Sequence, residues 1–447
     1  MQPDLRPLAV RGFVIDSPSP GKLRSIRDGA ILIEEGRIAA VDDYETLKAS
    51  LGTMPVRWTH SPESVIIPGL VDVHAHLPQY PAVARHAEAL LPWLQHHIFP
   101  LEKQFKAATS RVQSRGFFEE LARHGTTCAM LYAAIFEDSA EAAFSAAEES
   151  GMRIILGKVM MDRGSYDDTY PPENIPDVSC AEAETLCRKW HGRDGGRIEY
   201  AFSPRFAVSC TEEIMRRSGE LAEKYGAYIQ THLSENRDEV ALVRSLFPER
   251  ASYTDVYAHC GLLGPKSVLG HCIHLSDEEI DQLAAAQAVI AHCPTSNFFL
   301  TSGLMPMDRL KKAGLRIGLG SDVAGGPELN MWQVMRSTIE TQKARYFQDD
   351  KVPLLSATDA FHLATQGGAE ALGKGGLIGT LEIGKEADLV VLDLASITPY
   401  GRRINPHAHL TAEDVIALLV YRGGPGAVVE TFVRGFSVYR APAPLLV

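Results

Sequence analysis

From about residue 70 to residue 370, short apolar runs alternate with amphipathic stretches. The runs at 70–74, 127–132, 153–160, 198–203, 227–232, 267–271, 288–292 and 315–321 read as strands. Near-continuous apolar character is what a parallel strand buried on both faces requires. Helical spacing fills the gaps, at 138–150, 211–224, 235–246, 277–286 and 306–313 among others. Eight strand-then-helix units over roughly 300 residues predict an α/β chain built on a (β/α)₈ TIM barrel. A long insertion around 93–105 separates the first two strands.

Both ends of the chain change pattern. Residues 8–16, 29–35 and 37–41 are strand-like, with Glu35-Gly36 as a hairpin turn. Beyond residue 371, Gly-bounded strand runs return in 377–393, and 428–433 and 435–440 form a closing hairpin. The expected organisation is a small β-sandwich domain assembled from residues 1–67 and 371–447, flanking a barrel over 68–370.

Several predicted barrel strands stop at a polar group. In such a barrel the carboxyl ends of the strands face the active-site mouth. The first strand ends in His74-Ala75-His76, and alternation puts both imidazoles on one side. The fifth, sixth and seventh runs end at His232, His271 and His292, and the eighth leads into Gly320-Ser321-Asp322. Three neutral imidazoles and a carboxylate suit one divalent ion, Zn²⁺ or another borderline ion such as Fe²⁺. Such an ion activates water at neutral pH, and the chemistry then needs a proton carrier. Glu235, three residues after His232, stands near the metal at the start of the next helix without being a ligand. A lone His-x-His carries little weight. His407-Ala408-His409 is a near-copy that follows a proline and reads as a surface loop.

Composition narrows the partners. Hydrophobic residues make up 45% and charged residues 22%, which is ordinary for a folded domain. Lys plus Arg total 44 against 56 Asp plus Glu, a net charge of −12, so nucleic acid and anionic membrane surfaces are not the expected partners. No apolar stretch is long enough to cross a bilayer, and the first residues do not form a secretory signal. Seven cysteines, an odd number without a Cys-x-x-Cys, fit reduced, buried thiols in a cytoplasmic protein.

The motifs together resemble the amidohydrolase superfamily over nearly the whole chain. Pro68-Gly-Leu-Val-Asp-Val-His74-Ala-His76, His292-Cys-Pro-Thr-Ser-Asn297, Gly320-Ser-Asp322 and Gly384-Lys-Glu-Ala-Asp388 carry the likeness. Within it, the chain is similar to the guanine deaminases. That likeness rests on His76-Leu-Pro-Gln79-Tyr80, Phe99-Pro-Leu-Glu102, Ser203-Pro-Arg205-Phe206, the stretch from His232 to Val240, and Asp322-Val-Ala-Gly-Gly326. The resemblance implies hydrolysis of guanine to xanthine and ammonia, with a small purine as the partner and a homodimer as the assembly. It implies His74, His76, His232 and Asp322 as metal ligands and Glu235 as proton shuttle. His271 becomes a group bonding the attacking water, or a ligand as in some relatives. Gln79 and Arg205 become readers of the purine edges, and Phe206 packs on the ring. Pro78 and the His271-Cys272-Ile273-His274 segment depart from the usual pattern where substrate preference is set. The same site would equally deaminate a pterin, a triazine or another aminated heterocycle. A scaffold without activity should have lost ligands or acid, and none is lost here.

The remaining candidates have structural readings. His292 is expected to support the site from behind. His274 is either pocket-lining or structural, His96 and His97 are helix-surface residues, and Trp93 packs the insertion.

Overall fold

The computed structural model describes residues 6–86, 89–399 and 410–442. Eight parallel strands run β1 Leu70–His76, β2 Thr126–Tyr132, β3 Arg153–Gly157, β4 Ile198–Pro204, β5 Tyr228–Leu233, β6 Ser267–His271, β7 Val289–His292 and β8 Arg316–Leu319. Each pairs with the next in chain order. The predicted third run splits, because its last part, Val159–Met160, pairs separately with the end of β4. Every residue of β1, β2, β3, β5, β6 and β7 is buried, as expected of strands with a packed interior on one side and helices on the other.

The segment following β8 lies along β1. Asp322 N–H donates to the His74 carbonyl at 2.8 Å, and His76 N–H donates to Val323 at 3.0 Å. Asp72 accepts from Ser321 N–H at 3.0 Å and from its hydroxyl at 2.5 Å. These bonds carry Asp322 directly onto the strand end that holds His74 and His76. Gly320 makes the approach sterically feasible. A Cβ there would stand 2.8 Å from the His74 Cβ and 2.9 Å from Cys293 Sγ.

The two chain ends form a second sheet, as the sequence predicts. Its strands follow the order Phe436–Arg440, Val428–Val433, Leu389–Leu392, Val65–Pro68, Leu8–Ser19, Lys22–Glu34, Arg37–Asp43, and Arg57–Thr59 also pairs with Leu8–Ser19. They are joined in one hydrogen-bonded path over a core that includes Val10, Val14, Ile31, Ile66, Val391 and Phe432. The Glu35-Gly36 turn has both residues at positive φ, 49° and 80°, the geometry of a tight two-residue hairpin.

A buried ion network pins this sheet to the barrel. Arg153 opens β3 and is fully buried. It donates to Asp388 at 3.0 Å and to Glu386 at 2.5 Å, and Arg434 reaches Glu386 at 2.8 Å. Arg153 lies at the amino-terminal end of its strand, opposite the strand ends that carry His76 and His232, and polar groups at that face of a barrel serve stability. Among the described residues, no helix is long and apolar enough to cross a membrane.

Candidate metal and active site

His74 and His76 leave the end of β1, His232 sits near the end of β5, and Asp322 follows β8. All four are buried, and one ligand atom from each lies within 4.8 Å of all the others. Asp322 Oδ1 is 3.2 Å from Nε2 of both His74 and His76, and the His76 and His232 Nε2 atoms are 3.1 Å apart.

The protonation state of this cluster follows from its surroundings. His232 Nδ1 is 2.6 Å from the Arg205 carbonyl oxygen. A carbonyl only accepts, so Nδ1 carries the proton and Nε2 presents a lone pair. Burial, reinforced by the neighbouring imidazoles, pulls the His232 pKa well below its ordinary value. Burial likewise lowers His76, to about 4, against the opposing pull of Asp322. Burial alone would raise the Asp322 carboxyl, but the His74 and His76 imidazoles close beside it hold it well below the carboxylate range. Neither ring nitrogen of His74 has a hydrogen-bond partner. Converging lone pairs, an ionised carboxylate and unsatisfied buried nitrogens suit one divalent ion at their centre.

Glu235 and His271 stand beside the cluster. Glu235 is not in the following helix, as the sequence suggests, but in the turn before it. Ser234 takes a positive φ of 50° and the helix Arg237–Leu246 starts after the N-cap Asn236. A capping box holds this turn: Glu239 accepts from the backbone N–H groups of Glu235 at 2.8 Å and Asn236 at 3.0 Å. Tyr253 donates to Glu239 at 2.8 Å and so fixes the cap in turn. The Glu235 side chain accepts from the Ser302 hydroxyl at 2.9 Å, and its other oxygen is 3.3 Å from His271 Nε2. Burial, with the nearby charge of Asp322, pushes the Glu235 carboxyl up to about 8 against the Ser302 bond. His271 Nδ1 is 2.9 Å from Asn297 Oδ1. That leaves His271 Nε2, 3.8 Å from Asp322 Oδ2, directed at the same space.

A small cavity opens on this cluster. Gln79, Arg205 and Phe206 line it beside His76, His232, Glu235, His271 and Asp322. Apart from His74, every residue singled out from sequence as ligand, acid or substrate contact lines this one chamber, and His74 joins it through the ligand cluster. The insertion supplies the apolar wall through Leu90, Trp93 and Leu94, so Trp93 covers the cavity as well as packing the insertion.

The secondary candidates separate. His292 is buried without a partner on either nitrogen and stays outside the ligand group; burial lowers it to about 3. His274 is half-buried, with Nε2 2.8 Å from the Ser302 carbonyl. His96 is exposed and His97 half-buried. His407 and His409 lie outside the described residues. All seven cysteines are free and buried.

Sequence reasoning missed the residues that hold the machinery in place. Glu102 is 1% exposed and accepts from Arg205 at 2.6 Å, Gln79 at 2.9 Å and Tyr166 at 2.6 Å. Its signal was an acid closing the short apolar run of Phe99-Pro-Leu-Glu102. Tyr257 donates to the His232 carbonyl at 2.6 Å, and the Tyr253/Tyr257 pair at helical spacing was its trace. Ser302 had no local signal.

The sequence matches the amidohydrolase family over residues 65–438. It is 36% identical over 442 residues to a guanine deaminase of Escherichia coli strain K12, covering 96% of this chain and 97% of that one. Its fold superposes with a TM-score of 0.89 on the crystal structure of a guanine deaminase from C. acetobutylicum with bound guanine in the active site, at 29% identity, covering 97% of this chain and all of that one. A third similar structure is an adenosine deaminase from Xanthomonas campestris with bound zinc, at TM-score 0.82 and 25% identity, covering 97% of this chain and 93% of that one.

Proposed function

The chain belongs to the amidohydrolase family, and on that premise we propose that it hydrolyses guanine to xanthine and ammonia. The observation that carries this reading is the convergence of Arg205 and Gln79 on the same small chamber as the His74, His76, His232 and Asp322 cluster. Near-full-length likeness to guanine deaminases supports the substrate.

His74, His76, His232 and Asp322 hold one divalent ion, which when bound supplies Lewis-acid activation of water at neutral pH. We propose Zn²⁺, a choice supported by the zinc in the similar Xanthomonas structure; Fe²⁺ suits the same donors. Water adds to C2 of guanine, a C–O bond forms, the C–N bond to the 2-amino group breaks, and nitrogen leaves as ammonia. Glu235 carries two protons in turn: the one the attacking water gives up goes to ring N3, and the one the new C2 hydroxyl gives up goes to the 2-amino nitrogen, which leaves as ammonia as C2 becomes a carbonyl. A carboxyl held near neutrality by burial is suited to both halves of that transfer. His271 Nε2, between Glu235 and Asp322, orients the water. Arg205 donates to the purine carbonyl, Gln79 meets a neighbouring edge position, and Phe206 packs on the ring.

The unpaired, buried cysteines support the expected cytoplasmic setting. The homodimer is carried forward as part of the proposal, and sedimentation at the mass of two chains supports it while the mass of one removes it. A panel of guanine, a pterin and an aminotriazine with ammonia readout tests the substrate. Turnover of guanine far above the others is expected, and turnover of another member with none on guanine overturns the proposal.

A further inference from the structure

Glu102 touches neither the cavity nor the donor cluster, yet it grips both residues that face the purine. It rides on the insertion helix Phe99–Lys103 and is held ionised: burial alone would raise its carboxyl, but the Arg205 charge and hydrogen bond and the Tyr166 hydroxyl bring it below its ordinary value. An ionised carboxylate has no proton to donate. The Gln79 amide facing it at 2.9 Å must therefore present NH₂ to Glu102, which turns the amide oxygen away. That oxygen is met by the Ala324 N–H at 3.4 Å and, with two lone pairs, keeps accepting capacity on the cavity side. Arg205 gives one N–H to Glu102 at 2.6 Å, stacks over the Phe99 ring at 4.9 Å from its centroid, and lines the chamber with donors that Glu102 leaves free.

The wall therefore carries a fixed donor, Arg205, beside a fixed acceptor, Gln79. This is the complement of a lactam edge, a C=O next to an N–H. An amidine edge, a C–NH₂ next to an unprotonated ring nitrogen, has the opposite polarity. We infer that Glu102 is a specificity-determining positioning residue: by fixing the orientation of the Gln79 amide and the Arg205 guanidinium, it sets the pocket to read a 6-oxo purine and reject a 6-amino one.

The inference rests on the proposed guanine reading and deepens it. The test compares guanine with 2,6-diaminopurine, which keeps the 2-amino leaving group and replaces only the lactam edge. Wild-type, Glu102→Gln and Glu102→Asp enzymes are assayed for both, with metal content and melting temperature measured on each preparation. In Glu102→Gln the Gln79 amide can turn over and donate to the new side-chain oxygen or accept from its NH₂, so the polarity is no longer set. The ratio of kcat/KM for guanine over 2,6-diaminopurine is expected to fall at least about tenfold, the size of one lost directional hydrogen bond. The loss should come mainly through KM for guanine, with the metal retained. Glu102→Asp keeps the charge and should keep the ratio even where both rates drop. A role in stability alone would lower both substrates equally, and an unchanged ratio in Glu102→Gln overturns the inference. If the wild-type enzyme turns over no guanine, it is the guanine reading that fails. Should Glu102→Gln not fold, loss of the ratio in Gln79→Met, which has no amide for Glu102 to orient and no acceptor for the lactam N–H, serves as the second arm; an unchanged ratio there also counts against the inference.

Discussion

His232 Nδ1 donates to the main-chain carbonyl of Arg205 across 2.6 Å. One residue thus faces two ways: Arg205 lines the cavity, while its carbonyl fixes the tautomer of His232, a proposed metal ligand. Position on the recognition side and ligand basicity on the metal side are set by the same stretch of β4 and the loop that follows it.

Replacing that ligand should empty the site. His232→Ala removes one of four donors and leaves the converging group with only His74, His76 and Asp322. Metal analysis of the purified variant should find well under one ion per chain, with turnover lost in proportion. Full metal occupancy in His232→Ala would take His232 out of the ligand set.

Glu235→Gln separates proton transfer from binding. The substitution is nearly isosteric, and the Ser302 hydroxyl can still bond the side-chain oxygen. Metal content should be unchanged and kcat should fall about 100- to 10 000-fold, the usual contribution of a positioned acid–base group. A fully active Glu235→Gln enzyme would end the assigned role.

Arg205→Ala should act on substrate and on stability together. Losing a charged hydrogen bond to the purine should cut kcat/KM for guanine by about 10- to 100-fold. It also leaves Glu102 buried without its cation, which should destabilise folding by about 3–5 kcal/mol. Denaturant unfolding read beside kinetics checks both. Arg205→Ala combined with Glu102→Gln should recover part of the stability and none of the recognition.

Acid should loosen the chain at the junction between sheet and barrel. Burial alone would raise the Glu386 carboxyl, but Arg434 and Arg153 outweigh it and lower the pKa from 4.5. A carboxylate with a lowered folded pKa contributes stability that is fully present above the unfolded value. It is lost as pH falls below about 4.5 and through the folded value. Melting temperature against pH should drop on that limb, and Glu386→Gln, already less stable at neutral pH, should show a shallower drop. An identical acid limb in both would place the acid sensitivity elsewhere.

The strand ends were legible because their chemistry is local. A buried parallel strand announces itself by an apolar run, and a histidine or aspartate at its carboxyl end stands out against that run, as at His76, His232, His271 and Asp322. The composite sheet was legible through its turns, such as Glu35-Gly36. Boundaries shifted where hydrogen bonding overrode pattern. Glu235 reads as the first residue of a helix, yet the Asn236–Glu239 capping box starts the helix later and frees Glu235 to face the site. The supports were hard to see because they are long-range. Glu102 meets Arg205 103 residues away, and Ser302 meets Glu235 67 residues away. Nothing in the sequence near Ser302 marks it, and Glu102 becomes meaningful only once the insertion is folded over the mouth.

The most direct test of the account titrates metal and activity in one preparation. Chelator-stripped protein is loaded stepwise with Zn²⁺ while ammonia and xanthine release from guanine are followed. The account predicts no turnover without metal, restoration that levels at one ion per chain, and ammonia and xanthine formed in equal amounts. Metal-replete protein that releases no ammonia from guanine, or full activity in the stripped protein, would contradict it.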